Sequence, residues 1–304
     1  MKQKTVKRIT LLLAMVMMIA LALGCTKSDA PKDYGVEVTD SIGRAITIEK
    51  KPEKVISMSP NNTETLFALG LGDKVVGVST YCNYPEEATE KDKVGDFWEP
   101  NVELIVAADP DILFVGNAAP PEFIEKMEDN DIIVVALEGY DLDGTYQAIL
   151  NTGKIMGVQD KADDLIGSMK AQVSEIEGKV KEADKIKAYF IISYGDQGDF
   201  TAGSGSFVDE IINIAGGENI AGDMDQPWAE YSIEKLIEKD PEIIFASINS
   251  GAETISDAPG YKELTAIKEG RIVIVDDDLV TRAGPRIVEG LEEIARAMHP
   301  DLFK

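Results

Sequence analysis

The chain has little of what binds transition metals or staples small folds: 304 residues include two cysteines and one histidine. Because Cys25 falls at the end of an export leader, Cys82 is the one thiol left in the mature fold, so stability must come from packing. Cys82 itself reads as a small apolar residue. With His299 near the C-terminus, it cannot supply the several nitrogen or sulfur ligands of a zinc or manganese site, so neither a metal site nor a resident cofactor is expected. Positive charge is also scarce, with 30 Lys and Arg against 55 Asp and Glu. That balance excludes nucleic acid as a partner and repels anionic lipid headgroups, so residence at a membrane requires an anchor. Catalytic signatures are missing too. No Walker loop occurs, Gly203-Ser204-Gly205-Ser206 lacks the spacing of a nucleophile elbow, and Asp141-Leu142-Asp143-Gly144 is too short for a calcium loop. Carboxylates are so abundant that any glycosidase pairing could be imagined, which makes that signal uninformative. No catalytic residue is assigned, and an envelope enzyme remains a remote alternative.

An anchor is present. Lys2, Lys4, Lys7 and Arg8 precede the apolar run Ile9 to Leu23, which is shorter than the ~20 residues of a spanning helix and reads as an export signal. Ala22-Leu23-Gly24-Cys25 resembles a bacterial lipobox, in which the cysteine is diacylated, and two chains give stable membrane residence. Residues 1–24 would be the signal peptide and 25–33 a polar tether to the outer face of the cytoplasmic membrane, or to the periplasm. Removing the leader, with four cations and no acid, takes the formal charge from −25 to −29.

Beyond the tether, Val36 to Ile48 alternates around Ser41-Ile42-Gly43-Arg44, the pattern of a hairpin. Val55 to Met58 then reads as a buried strand, and Ser59-Pro60 opens a helix that stops at Gly70. Short apolar strands and helices alternate through Val75–Val78, Val102–Ala107, Ile112–Val115, Glu122–Glu128 and Ile132–Ala136, which is α/β organisation. Gln159 to Ala183 keeps a 3.6-residue apolar period without proline, predicting a helix long enough to bridge two lobes. The grammar then restarts, with a strand at Ala188–Ser193 and a helix at Val208–Ala215. Val102-Glu103-Leu104-Ile105 and Asp109-Pro110-Asp111-Ile112-Leu113-Phe114 recur as Ile233-Glu234-Lys235-Leu236 and Asp240-Pro241-Glu242-Ile243-Ile244-Phe245. Trp98 and Trp228 stand just upstream of the two copies. Two copies of this size predict pseudo-symmetric α/β lobes, 34–158 and 184–304, joined by the 159–183 helix, with a ligand cleft between them.

Aromatic residues collect where a core does not need them. Tyr81, Tyr84, Phe97, Trp98, Tyr194, Phe200 and Trp228 all lie in polar, loop-like segments. One ring beside a turn is more often a plug for a small core; seven, similarly arranged in both repeats, point to the wall of a shared cleft suited to a broad planar ligand.

Several segments carry a family resemblance: Ser57-Met58-Ser59-Pro60-Asn61-Asn62-Thr63-Glu64, Tyr81-Cys82-Asn83-Tyr84-Pro85, Phe200-Thr201-Ala202-Gly203, Gly216-Gly217-Glu218-Asn219-Ile220, Pro227-Trp228 and Arg282-Ala283-Gly284-Pro285-Arg286-Ile287. Across nearly all of the mature sequence the chain resembles the vitamin B12-binding group of ABC-importer solute-binding proteins. The resemblance implies two lobes on one rigid helix with a corrinoid, cobalamin or cobinamide, held between them by a monomer. It implies ligand contacts from Tyr81, Phe97 or Trp98, Tyr194, Phe200 and Trp228, with Asp278 and Arg282 as polar contacts. A one-residue insertion leaves the choice between Phe97 and Trp98 open. It further implies that Glu103 and Glu234 face outward and meet arginines of a permease dimer that works with its ATPase. Gly116-Asn117 departs from the pattern, standing where another aromatic is expected. Siderophore and haem binders share this fold and form the alternative; an anionic siderophore calls for several cleft cations, and the matched segments show chiefly Arg282.

Overall fold

The computed structural model describes residues 34–195, 198–248 and 250–304, and residues 36–304 belong to one compact unit. The leader, Cys25 and the tether lie outside the described residues. The predicted hairpin is present as β1 (Val36–Thr39) and β2 (Ala45–Ile48). Its turn is tied by Asp40 Oδ1, which accepts from the backbone N–H groups of Ile42 and Arg44.

Four strands come next: β3 (Val55–Ser57), β4 (Val75–Val78), β5 (Ile112–Val115) and β6 (Ile133–Ala136). They pair in parallel in the order β4-β3-β5-β6. Helices must cover both faces of such a sheet, and that is why its strands are unbroken apolar runs rather than alternating ones. Six strands build the second sheet: β7 (Ile186–Ser193), β8 (Phe200–Ala202), β9 (Gly217–Asn219), β10 (Trp228–Glu230), β11 (Ile243–Ser247) and β12 (Ile272–Val275). The path runs β10-β8-β7-β11-β12, with β9 also on β7. β8 and β10 are antiparallel additions to a parallel centre.

Between the sheets runs the helix Gln159–Val180, three residues shorter than its pattern predicts. It buries Ala162, Ile166, Met169, Ile176 and Val180. One end packs on the helix Leu142–Met156 of the first half, and it also meets Phe207–Ile214 and Ile287–Met298 of the second. Gly153 permits the first contact, since a Cβ there would stand 2.5 Å from that of Ala162.

The internal repeat is a repeat of structure. Val102–Ala107 and Ile233–Lys239 are both short helices, capped respectively by Asn101 and Ser232, whose side chains accept from the N–H of Leu104 and Lys235. Each is followed by an aspartate with positive φ, Asp109 at 49° and Asp240 at 47°, and then by a buried strand.

Candidate ligand-binding cleft

Both halves contribute to a hollow of about 380 Å³. The first half supplies the start of the Pro60–Ala68 helix, Ser79 and Tyr81 after β4, Phe97, Gly116 and Ala118 after β5, and Glu138 after β6. Thr281, Arg282 and Ala283 come from the second. These first-half residues lie beyond the C-terminal ends of parallel strands, where α/β sheets place their ligands. Tyr81 is half exposed. Phe97 lines the hollow, while Trp98 packs edge-on against it at 4.6 Å between ring centres and is 76% exposed. Of the two rings left open by sequence, Phe97 is therefore the one in the wall of this hollow.

Arg282 reaches the hollow but is heavily engaged. Its Nη1 donates to Glu64 Oε1 at 3.1 Å and to Asn83 Oδ1 at 2.7 Å, and its Nη2 pairs with Asp278 Oδ1 at 2.5 Å. Asp278 Oδ2 accepts from Asn83 Nδ2 at 2.8 Å. Glu64, whose side chain is 2% exposed, also receives a two-point grip from Arg286 through Nε at 2.9 Å and Nη2 at 2.7 Å. The Arg286 guanidinium lies over Tyr84, its Cζ 3.9 Å from the ring centre. Two acids and two arginines thus cancel one another across the boundary between the halves. Asp278 and Arg282 are expected from sequence; Glu64, Asn83 and Arg286 are not, although all three stand in the motifs that carry the family resemblance.

The second-half aromatics form a separate group. Pairing of Trp228 with Ala202 and of Glu230 with Phe200 puts both rings on one face of the β8–β10 ribbon, where they are 44% and 39% exposed. Tyr194, at the end of β7, stacks edge-to-face on Tyr261 at 5.4 Å. None of Tyr194, Phe200 and Trp228 lines the 380 Å³ hollow.

Glu103 and Glu234 occupy the same second position of the two repeat helices and are exposed. Ser232 donates to Glu234 Oε2 at 2.6 Å and holds that carboxyl below its ordinary range. One turn on, each helix also exposes an aliphatic side chain, Val106 and Ile237 respectively.

Two sheet-bearing halves on one connecting helix, with first-half aromatics and second-half polar side chains at a shared hollow, are the architecture of a solute-binding protein. The chain belongs to the periplasmic binding protein family, which matches residues 55–279. It is 34% identical to the uncharacterized ABC transporter substrate-binding lipoprotein YvrC of Bacillus subtilis, over 98% of this chain and 99% of that protein. Identity to the vitamin B12-binding protein of Vibrio parahaemolyticus is 28%, over 82% of this chain and 91% of the relative. The fold matches the vitamin B12-binding protein BtuF of Vibrio cholerae with a TM-score of 0.68 at 23% identity, covering 83% of this chain and 98% of that one. It matches the haem-binding protein RhuT of a Roseiflexus species with a TM-score of 0.74 at 24% identity, covering 82% and 99%. The chain is an extracytoplasmic solute-binding protein, the kind that serves ABC importers with permease and ATPase partners. Among the described residues no helix is long and apolar enough to cross a membrane.

Proposed function

We propose that this protein captures a corrinoid, cobalamin or cobinamide, while anchored through diacylated Cys25, and delivers it to the permease of an ABC importer. The observation that carries the reading is the supply of partly or largely exposed rings in both halves: Tyr81 and Phe97 at the hollow, Phe200 and Trp228 on one face of the β8–β10 ribbon. A hollow of about 380 Å³ seats one edge of a large ring, leaving the remainder to lie against the second-half platform with Tyr194 beside it. Asp278 and Arg282 would offer polar contacts at the boundary, and Trp98 would buttress Phe97. The sequence likeness to vitamin B12-binding proteins supports the choice of ligand.

Delivery would use Glu103 and Glu234 with their neighbours Val106 and Ile237, two matched acid-and-aliphatic pairs, one on each half. Charge complementarity of this kind orients the encounter more than it adds affinity.

Calorimetry on residues 26–304 tests the ligand reading. Cobalamin or cobinamide should bind with sub-micromolar Kd, and haem and a ferric hydroxamate should not. Clear binding of either iron ligand with no heat from any corrinoid would discard the corrinoid reading.

A further inference from the structure

Gly116-Asn117, the break in the aromatic pattern, is where a carboxylate enters the wall. Glu138 stands just after β6 and lines the hollow beside Tyr81 and Phe97. A Cβ on Gly116 would stand 3.1 Å from Glu138 Oε2, a tight approach that would press on that carboxylate. The backbone N–H of Asn117 donates to Oε2 at 2.8 Å, and its Nδ2 donates to the Glu138 carbonyl at 3.2 Å. That second bond fixes the amide with Oδ1 turned elsewhere, and Oδ1 is buried with no donor. Glu138 Oε1 likewise receives no hydrogen bond from the described residues. Burial holds the Glu138 carboxyl above its ordinary range, with the Asn117 N–H opposing the shift. Among the described residues, the one cation lining the hollow, Arg282, is committed to Glu64, Asn83 and Asp278. A partly desolvated carboxylate with one oxygen open to the hollow gains when a ligand donor reaches that oxygen.

We propose that Glu138 is a specificity-determining residue of this cleft, selecting a neutral or cationic ring whose rim carries amide N–H donors and turning away rings that carry carboxylates. The proposal rests on the cleft being the site of a large ring, and it adds the group that chooses among such rings. Amide-rimmed corrinoids fit; haem, with two propionates, meets an unneutralised acid in a place where charges are poorly screened.

The test uses residues 26–304, which contain the whole compact unit, with cobinamide, haem and haem dimethyl ester as probes. Glu138→Gln keeps the shape and an acceptor for the Asn117 N–H but removes the charge. It should weaken cobinamide about fivefold or more, the scale of a lost charge-assisted hydrogen bond, and strengthen haem by a similar factor. On the unaltered protein the dimethyl ester should bind better than haem, a comparison that does not depend on any variant folding. If cobinamide binds and Glu138→Gln changes neither affinity, the inference is overturned while the corrinoid reading stands. If no corrinoid binds, that reading fails, and the haem and ester comparison still decides the role of Glu138: equal affinities, or tighter haem, overturn it.

Discussion

Trp228 presents close to half of its surface to solvent although it sits in a strand, a waste of apolar area unless something covers it. Trp228→Ala should therefore leave folding intact and weaken corrinoid binding by about 1 to 3 kcal/mol, as at other binding hot spots, and titration calorimetry reads the difference. Glu64 makes the opposite prediction. With its side chain 2% exposed between two arginines, Glu64→Ala strands Arg286, takes one of three partners from Arg282, and should cost about 3 kcal/mol, seen as a lower urea midpoint. An unchanged midpoint would show the pair to be energetically idle. The rings are readable from sequence because large aromatics in polar segments have no local reason to be there. Glu64 is not, because a glutamate in a helix is ordinarily solvated, and only the arrival of Arg282 and Arg286 from far along the chain makes its burial tolerable. Glu138 is hidden similarly: its neighbour Gly116 shows in the sequence only as a missing ring, and its consequence depends on β5 and β6 lying side by side.

The repeat helices end alike and are held differently. Asp109 and Asp240 both adopt positive φ, a conformation that disfavours most side chains. Asp240 uses its carboxylate there, accepting from the Thr265 N–H and hydroxyl at 2.7 Å each. Asp109 reaches only an exposed Lys54. Asp109→Gly should thus be neutral or slightly stabilising and Asp240→Gly destabilising, measured by thermal melts. Those bonds from Thr265 also hold the Asp240 carboxyl below its ordinary value of 3.8. A depressed pKa contributes stability above the unfolded value, and that contribution is lost as pH falls through the folded one. Asp240→Asn should therefore flatten the loss of stability below about pH 4, and an acid limb identical to that of the unaltered protein would count against it. Sequence shows these elements because Asp-Pro and a buried apolar run recur in both copies. It does not show Leu142–Met156, since Gly144, Asn151, Thr152 and Gly153 interrupt its apolar pattern. Asn151, Thr152 and Gly153 are buried, a matter of tertiary packing that periodicity does not report.

Across the whole molecule, the doubled acid-and-aliphatic pairs predict a division of labour between capture and delivery. The double variant Glu103→Lys, Glu234→Lys should keep corrinoid affinity and lose uptake, assayed with importer in liposomes and limiting binder, because a reversed charge meets like charge on each half. Normal uptake by the folded double variant would return both glutamates to ordinary surface charges. The connection between the halves governs how a docked protein could release its cargo. They are joined through Gln159–Val180, a 22-residue helix that would measure about 33 Å. A helix of that length, gripped by packing from both halves, behaves as a strut: it resists bending and yields most readily at its ends, such as the left-handed Gly157 just before it. A permease pulling on the two outer helices would find no soft middle in which the strain could dissipate. The load would pass instead to the Glu64–Arg282–Arg286 contacts at the edge of the hollow, so a force that parted them would also open the hollow.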